Sequence, residues 1–176
     1  MTLTLNIPTI ATERLTLRGP MASDLEGFVG FFRSDRARYA GGSSDTEKAE
    51  TEFEEMVDHW GQHGFGSFIM VRKDTGRAIG HVGGLHPTGW PENELGWSIW
   101  RAHDEGKGYA SEAVIAVRDH LFNDCGWATA ISYIAPDNTR SLAFAERLGA
   151  YHDQTAVTPN GLRCFAYRHP HPGGSA

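Results

Sequence analysis

The stretch WRAHDEGKGYASEA, from Trp100 to Ala113, is the feature that most limits what the chain can fold into. An aromatic-rich run gives way to two glycines flanking a lysine. Behind them Ala110, Ala113, Val114, Val117 and Leu121 recur at helical spacing. This reads as a strand, a tight turn and a helix that starts at about Tyr109. The first N–H groups of such a helix have no internal partner, and the helix dipole adds partial positive charge there, so the junction suits an anion. Gly106 and Gly108 take away side chains that would hold a phosphate off those amides, and Lys107 can add a direct charge. An ordinary strand-to-helix turn has the same glycine spacing, so on the letters alone both readings stay open.

Around this junction strands and helices alternate. Residues 15–18 read as a short strand, and Ser23 or Asp24 can cap a helix whose apolar face is Leu25, Phe28, Val29 and Phe32. After the break at Gly41-Gly42 a second helix follows, with Phe53, Met56, Val57 and Trp60 on one side. Residues 68–72 and 78–85 form a hairpin about the turn at 74–76, and 94–100 is a further strand. Beyond the long helix lie a strand at 130–134 and a helix at 139–148 stopped by Gly149. Residues 155–158 and 162–167 flank Asn160-Gly161, a strong signal for a two-residue hairpin. The order β-α-α-β-β-β-α-β-α-β-β predicts an α/β fold with a mixed sheet and helices packed on it. A single domain over residues 1–168 is expected, with 169–176 as a flexible tail.

Several function classes are disfavoured. A net charge of −6 argues against a general nucleic-acid binder and fits only weakly with a cationic substrate. The two cysteines, Cys125 and Cys164, form no CxxC pair and read as buried reduced thiols. The N-terminus lacks the basic start of a signal peptide, and no apolar run is long enough to span a bilayer, so a cytoplasmic address and no membrane partner are expected. His59 and His63 sit four apart on the second helix, but no glutamate follows His59 and no third ligand is evident, so no metal is expected. No GxxxxGK[ST] run exists, and the dinucleotide pattern fails because Ser111 stands where its third glycine would be.

Three pieces of the chain, in order, resemble the GCN5-related N-acetyltransferases (GNATs), and within them the RimJ and RimL branch that acetylates ribosomal-protein N-termini. They are Thr12-Glu-Arg-Leu-Thr-Leu-Arg18, Glu94-Leu-Gly-Trp-Ser-Ile-Trp100 with Glu105-Gly-Lys-Gly-Tyr-Ala-Ser-Glu-Ala113, and Asn138-Thr-Arg-Ser141 running into Glu146-Arg-Leu-Gly-Ala150. The resemblance implies a splayed, mostly antiparallel central sheet flanked by helices, with acetyl-CoA as co-substrate. The amides of Gly106, Lys107, Gly108, Tyr109, Ala110 and Ser111 would hold the pyrophosphate. The pantetheine arm would run near Ile99 and Trp100 along the strand edge, with Asn138 reaching it from the other side. Two positions depart from the family pattern. Glu105 stands where glutamine or arginine is usual, and Ala145 stands where many members carry a tyrosine acid.

Acetyl transfer to an amine needs a base, a donor for the oxyanion and a proton for the departing thiolate. Glu94, at the head of the fourth predicted strand, is the expected base, with Gly96 and Ser98 leaving its face uncrowded. His81 and His86 are rivals. Backbone N–H groups of the splayed strand can serve the oxyanion, and Ser141 is the expected acid, although Asn138 and Ser141 also look like a helix cap. Trp60, Phe65, Trp90 and the 36–39 segment could touch the acceptor, a protein N-terminus or a small-molecule amine, and a homodimer is common in the branch it resembles. A non-catalytic acyl-CoA sensor is the alternative, for which Glu105 and Ala145 speak.

Overall fold

The computed structural model describes residues 6–173. Its strands are β1 (Ile10–Ala11), β2 (Leu15–Arg18), β3 (Ser67–Arg72), β4 (Ala78–Leu85), β5 (Glu94–Ile99), β6 (Ile131–Ile134), β7 (Tyr151–His152) and β8 (Phe165–Arg168). The helices are α1 (Leu25–Phe32), α2 (Thr46–His63), α3 (Tyr109–Asn123) and α4 (Thr139–Arg147). The strands form one sheet in the order β1-β2-β3-β4-β5-β6-β8-β7. Every pairing is antiparallel except β5 with β6.

Alternation along the central strands builds the two sides. On β3, Phe68 and Met70 join Leu15, Leu17, Val82 and Leu95 beneath the α3 stripe of Ala113, Val114, Val117 and Leu121. Ile69 faces the other way, onto Phe28, Phe31, Phe32, Phe53 and Trp100 under α1 and α2. Each large side chain removed from water in this way contributes roughly 2 kcal/mol. Gly83 marks a close approach: a Cβ there would run into the Gly66 carbonyl and the Ser67 Cα of β3. Among the described residues no helix is long and apolar enough to cross a membrane.

Four expectations need correction. A short β1 precedes β2, pairing Ile10 with Leu17. Asp24 stands at the head of α1 without capping it; its carboxylate is buried, accepting from Arg18 at 2.7 and 2.9 Å and from the Met21 N–H. The hairpin about Asn160-Gly161 does not form, and β8 pairs instead with β7 at Tyr151–His152 and with β6. Residue 169, expected to begin the tail, is fixed instead: His169 is buried and its N–H donates to the Ala130 carbonyl. The Ser132 hydroxyl donates to the Leu95 carbonyl, so the His169 Nε2–H 2.8 Å away donates to the Ser132 oxygen.

Candidate active site

A gap in the sheet makes the site. β5 pairs with β4 from Gly80↔Ile99 to Leu85↔Glu94, but it meets β6 in a single parallel register, Glu94↔Ile131. Trp100 N–H donates to the Ile79 carbonyl, so by antiparallel alternation the main-chain groups of Leu95, Trp97 and Ile99 turn away from β4 and into the gap. The Ser132 hydroxyl takes the Leu95 carbonyl, and beyond it the two strands diverge. A cavity of about 1800 Å³ opens there, walled by β5, the 106–111 turn, the start of α4 and the segment between α1 and α2.

The turn owes its glycines to backbone shape. Gly106 and Gly108 have φ of 70° and 80°, left-handed values that strain other residues. Gly108 is also the N-cap of α3, and the cavity is lined by Gly106, Gly108, Tyr109, Ala110 and Ser111. Long-range bonds fix the turn. The Glu112 carboxylate accepts from the Thr12 hydroxyl and from the Arg14 N–H and Nε, while Arg14 also donates to the Lys107 carbonyl and lies over the Tyr109 ring. Asp104 is buried and accepts from Arg77 at 3.0 and 3.2 Å and from Arg72 at 3.4 Å. Glu105 is gripped by Arg36 on one oxygen and by Arg140, at 2.6 Å, on the other. Burial pushes its carboxyl up, but the hydrogen bonds from Arg140 and Arg36 overcome this and hold it below the usual range.

Glu94 lies where the strands part. Its Oε2 accepts from Trp90 Nε1 at 2.6 Å and its Oε1 from the Tyr133 N–H at 3.3 Å. Burial outweighs both bonds and pushes the carboxyl up to about 7, the range of a base that works near neutrality. Of the rival histidines His81 is committed elsewhere, whereas His86 lines the cavity and its buried Nδ1 has no partner among the described residues. His81 accepts from Trp100 Nε1 against the Phe28 and Phe31 rings, and burial lowers it to about 4. His59 is held by the Phe65 carbonyl at Nδ1 and accepts from the His86 N–H at Nε2, while its ring stacks on His63. Among the described residues no three His, Cys, Asp or Glu side chains are grouped to hold a metal ion.

The other expected residues divide. Ile99, Asn138 and Ser141 line the cavity together with Glu94 and the turn. The Asn138 side chain accepts from the Ser141 N–H as the cap of α4, a bond that does not use the Ser141 hydroxyl, and Ser141 is among the residues that line the cleft. Trp100 does not belong with them: its N–H is used by β4 and its ring is buried under α1. Lys107 points outward, its Nζ 3.4 Å from His103. Trp60 and Phe65 are core residues, Trp60 donating to the Ser67 carbonyl and Phe65 packing on Trp127, whereas Arg36, Tyr39 and Trp90 line the cavity. Both cysteines are free and half-buried, and burial pushes each thiol up.

Sequence reasoning missed the arginines that meet Glu105 and the Arg14–Glu112 bracket. In each case the partners lie far apart in the chain, and the one available signal was an acid at a position where the resemblance implies an amide or a cation.

A family model for the acetyltransferase (GNAT) domain matches residues 14–151. The chain is similar to YkkB of Bacillus subtilis (strain 168), with 29% identity over 154 residues that cover 83% of this chain and 87% of that protein. An acetyltransferase from Agrobacterium tumefaciens str. C58 has a similar solved structure, with TM-score 0.87, 36% identity, and 97% and 99% of the two chains covered. RimL, a ribosomal L7/L12 alpha-N-protein acetyltransferase, superposes with TM-score 0.72 over 93% of both chains at 14% identity, a likeness of fold.

Proposed function

The chain belongs to the GNAT acetyltransferase family, and on that premise we propose that it transfers the acetyl group of acetyl-CoA directly to a primary amine. The observation that carries this reading is the sheet that opens beyond its one parallel register with a carboxyl at about 7 at the point of opening. The residues present fit the co-substrate. The main-chain groups of Trp97 and Ile99 turn into the gap, and the left-handed glycines turn the chain into α3 with its first amides at the cavity wall.

Acetyl-CoA supplies the activated acyl group as a thioester. Glu94, charged above about pH 7, accepts the proton that the amine nitrogen gives up as it attacks. The N–H groups of Trp97 and Ile99 are the candidate donors to the carbonyl oxygen. As the C–N bond forms the C–S bond breaks, and the sulfur takes a proton that the Ser141 hydroxyl is the candidate to relay, recovering one from water in the same step so that no alkoxide is left.

The acceptor is a protein N-terminus, as the resemblance to RimJ and RimL implies, or a small-molecule amine. Asp35, Glu52, Glu55 and Asp58 line the same cavity, and their charge suits a cationic acceptor. A cytoplasmic address rests on the N-terminal sequence, and homodimeric assembly on the resemblance alone.

Calorimetric titration with acetyl-CoA, with NAD as control, tests the reading. Wild-type binding that is lost in Gly108→Leu, whose backbone must hold φ near 80° with its side chain against Arg14, is expected, followed by release of CoA thiol from the wild type over a panel of amines. No binding of acetyl-CoA would refute the reading, and binding without turnover on any amine would favour the sensor.

A further inference from the structure

Glu105 bridges the two lips of the open sheet. On one side it takes Arg36, from the segment after α1, and on the other Arg140, in the first turn of α4. Arg36 also donates to the Ile99 carbonyl at 3.1 Å, one of the main-chain acceptors that face the gap. Its Nε is buried and has no partner among the described residues. Nearby, the Tyr39 hydroxyl meets the Asp137 carbonyl and carboxylate, both at 3.2 Å, so the same segment touches the opposite lip a second time. Arg36, Glu105 and Arg140 all line the cavity beside Gly106 and Gly108.

We infer that Arg36 and Arg140 are side-chain ligands for the cofactor's pyrophosphate, parked on Glu105 while the cleft is empty and exchanged from carboxylate to phosphate when the cofactor enters. The inference rests on the acetyl-CoA reading above.

Its physical basis is shared geometry. A guanidinium fork matches a carboxylate and a phosphate equally well, so the arginines can change partner without being rebuilt. Charge sets the direction. A pyrophosphate offers more negative charge than the single carboxylate, and two guanidinium groups against one carboxylate leave this lip with a net positive charge. Glu105 alone beside the 106–111 amides would repel the ligand; with two guanidinium groups standing between carboxylate and phosphate, the ligand enters a cluster of net positive charge. Arg140 has the freedom to move, its side chain being 74% exposed, and Arg36 has an unused N–H to offer. The acidic residue at the head of the turn is therefore a placeholder that keeps two cations positioned and the lips together until phosphate replaces it.

Titration calorimetry of acetyl-CoA and of its 3′-dephospho analogue, at low and moderate salt, tests this in Arg140→Gln and Glu105→Gln. The exposed Arg140 can be replaced without disturbing the core. Arg140→Gln is expected to weaken both ligands about tenfold and to flatten the salt dependence, a change that a purely structural role would not produce. Glu105→Gln, which removes the competitor, is expected to bind both a few-fold tighter. Unchanged affinity in Arg140→Gln, a loss confined to the ligand with the 3′-phosphate, or weaker binding by Glu105→Gln would each overturn the inference. Failure of the wild-type chain to bind acetyl-CoA would instead defeat the underlying reading, and the inference with it.

Discussion

Replacing Glu94 with glutamine separates chemistry from stability. The carboxyl is pushed from 4.5 to about 7, chiefly by burial. At about 1.4 kcal/mol for each tenfold step, that gap corresponds to at most about 3 kcal/mol. Because the folded pKa is raised, the stability associated with the protonated form is complete below about pH 4.5 and lost as pH rises through about 7. Above that pH the fold carries a charged group in a desolvated place. Glutamine mimics the protonated acid at every pH, but it has one oxygen where Trp90 and Tyr133 now donate to two, which costs about 1 kcal/mol. The variant should therefore be about 1 kcal/mol less stable than the wild type at pH 4.5 and up to about 2 kcal/mol more stable at pH 8, a relative gain of up to about 3 kcal/mol read as a melting difference that shifts by several degrees. Its kcat/KM should fall roughly a hundredfold or more, and the wild-type rise in rate through about pH 7 should vanish. Wild-type activity with an unchanged pH profile would refute the base assignment. A melting difference that stays constant between pH 5 and 8 would refute the burial argument behind it.

Ser141→Ala should lower kcat roughly tenfold while leaving acetyl-CoA affinity near wild type, since Asn138 caps the Ser141 N–H and not its hydroxyl; an unchanged kcat would assign the proton to another donor. Asp104→Asn should destabilise the chain by about 2 kcal/mol, because Arg72 and Arg77 lose a buried counter-charge, and denaturant melts at pH 7 would reveal it. The pair is discounted from a fully buried one because Arg77 is partly exposed.

What the sequence makes legible follows range. Helix stripes and strand alternation are local, so α1 to α4 and β2 to β6 could be read within a residue or two. The Asn160-Gly161 signal misled because only Gly161 takes a positive φ, whereas the hairpin turn it suggests needs two such residues in a row. Upstream, the Asp153 carboxylate takes both the N–H and the hydroxyl of Thr155, and a segment bent in that way cannot extend as a strand. The same carboxylate also takes Arg168 Nε, so the bend is tied to β8 from a distance. His169 looks like tail beside its prolines, yet β6 holds it through Ala130 and Ser132, residues almost forty positions earlier. The site divides along the same line. Glu94, the glycine turn, Asn138 and Ser141 stand on elements with local signatures, and the sheet brings them to one cavity. Arg36 and Arg140 carry no such signature, since a surface arginine on a helix start looks alike whether or not a carboxylate awaits it across the sheet. The odd letter was Glu105 itself. An acid at the mouth of an anion site requires compensating cations, so its presence already implied partners that only the fold could supply.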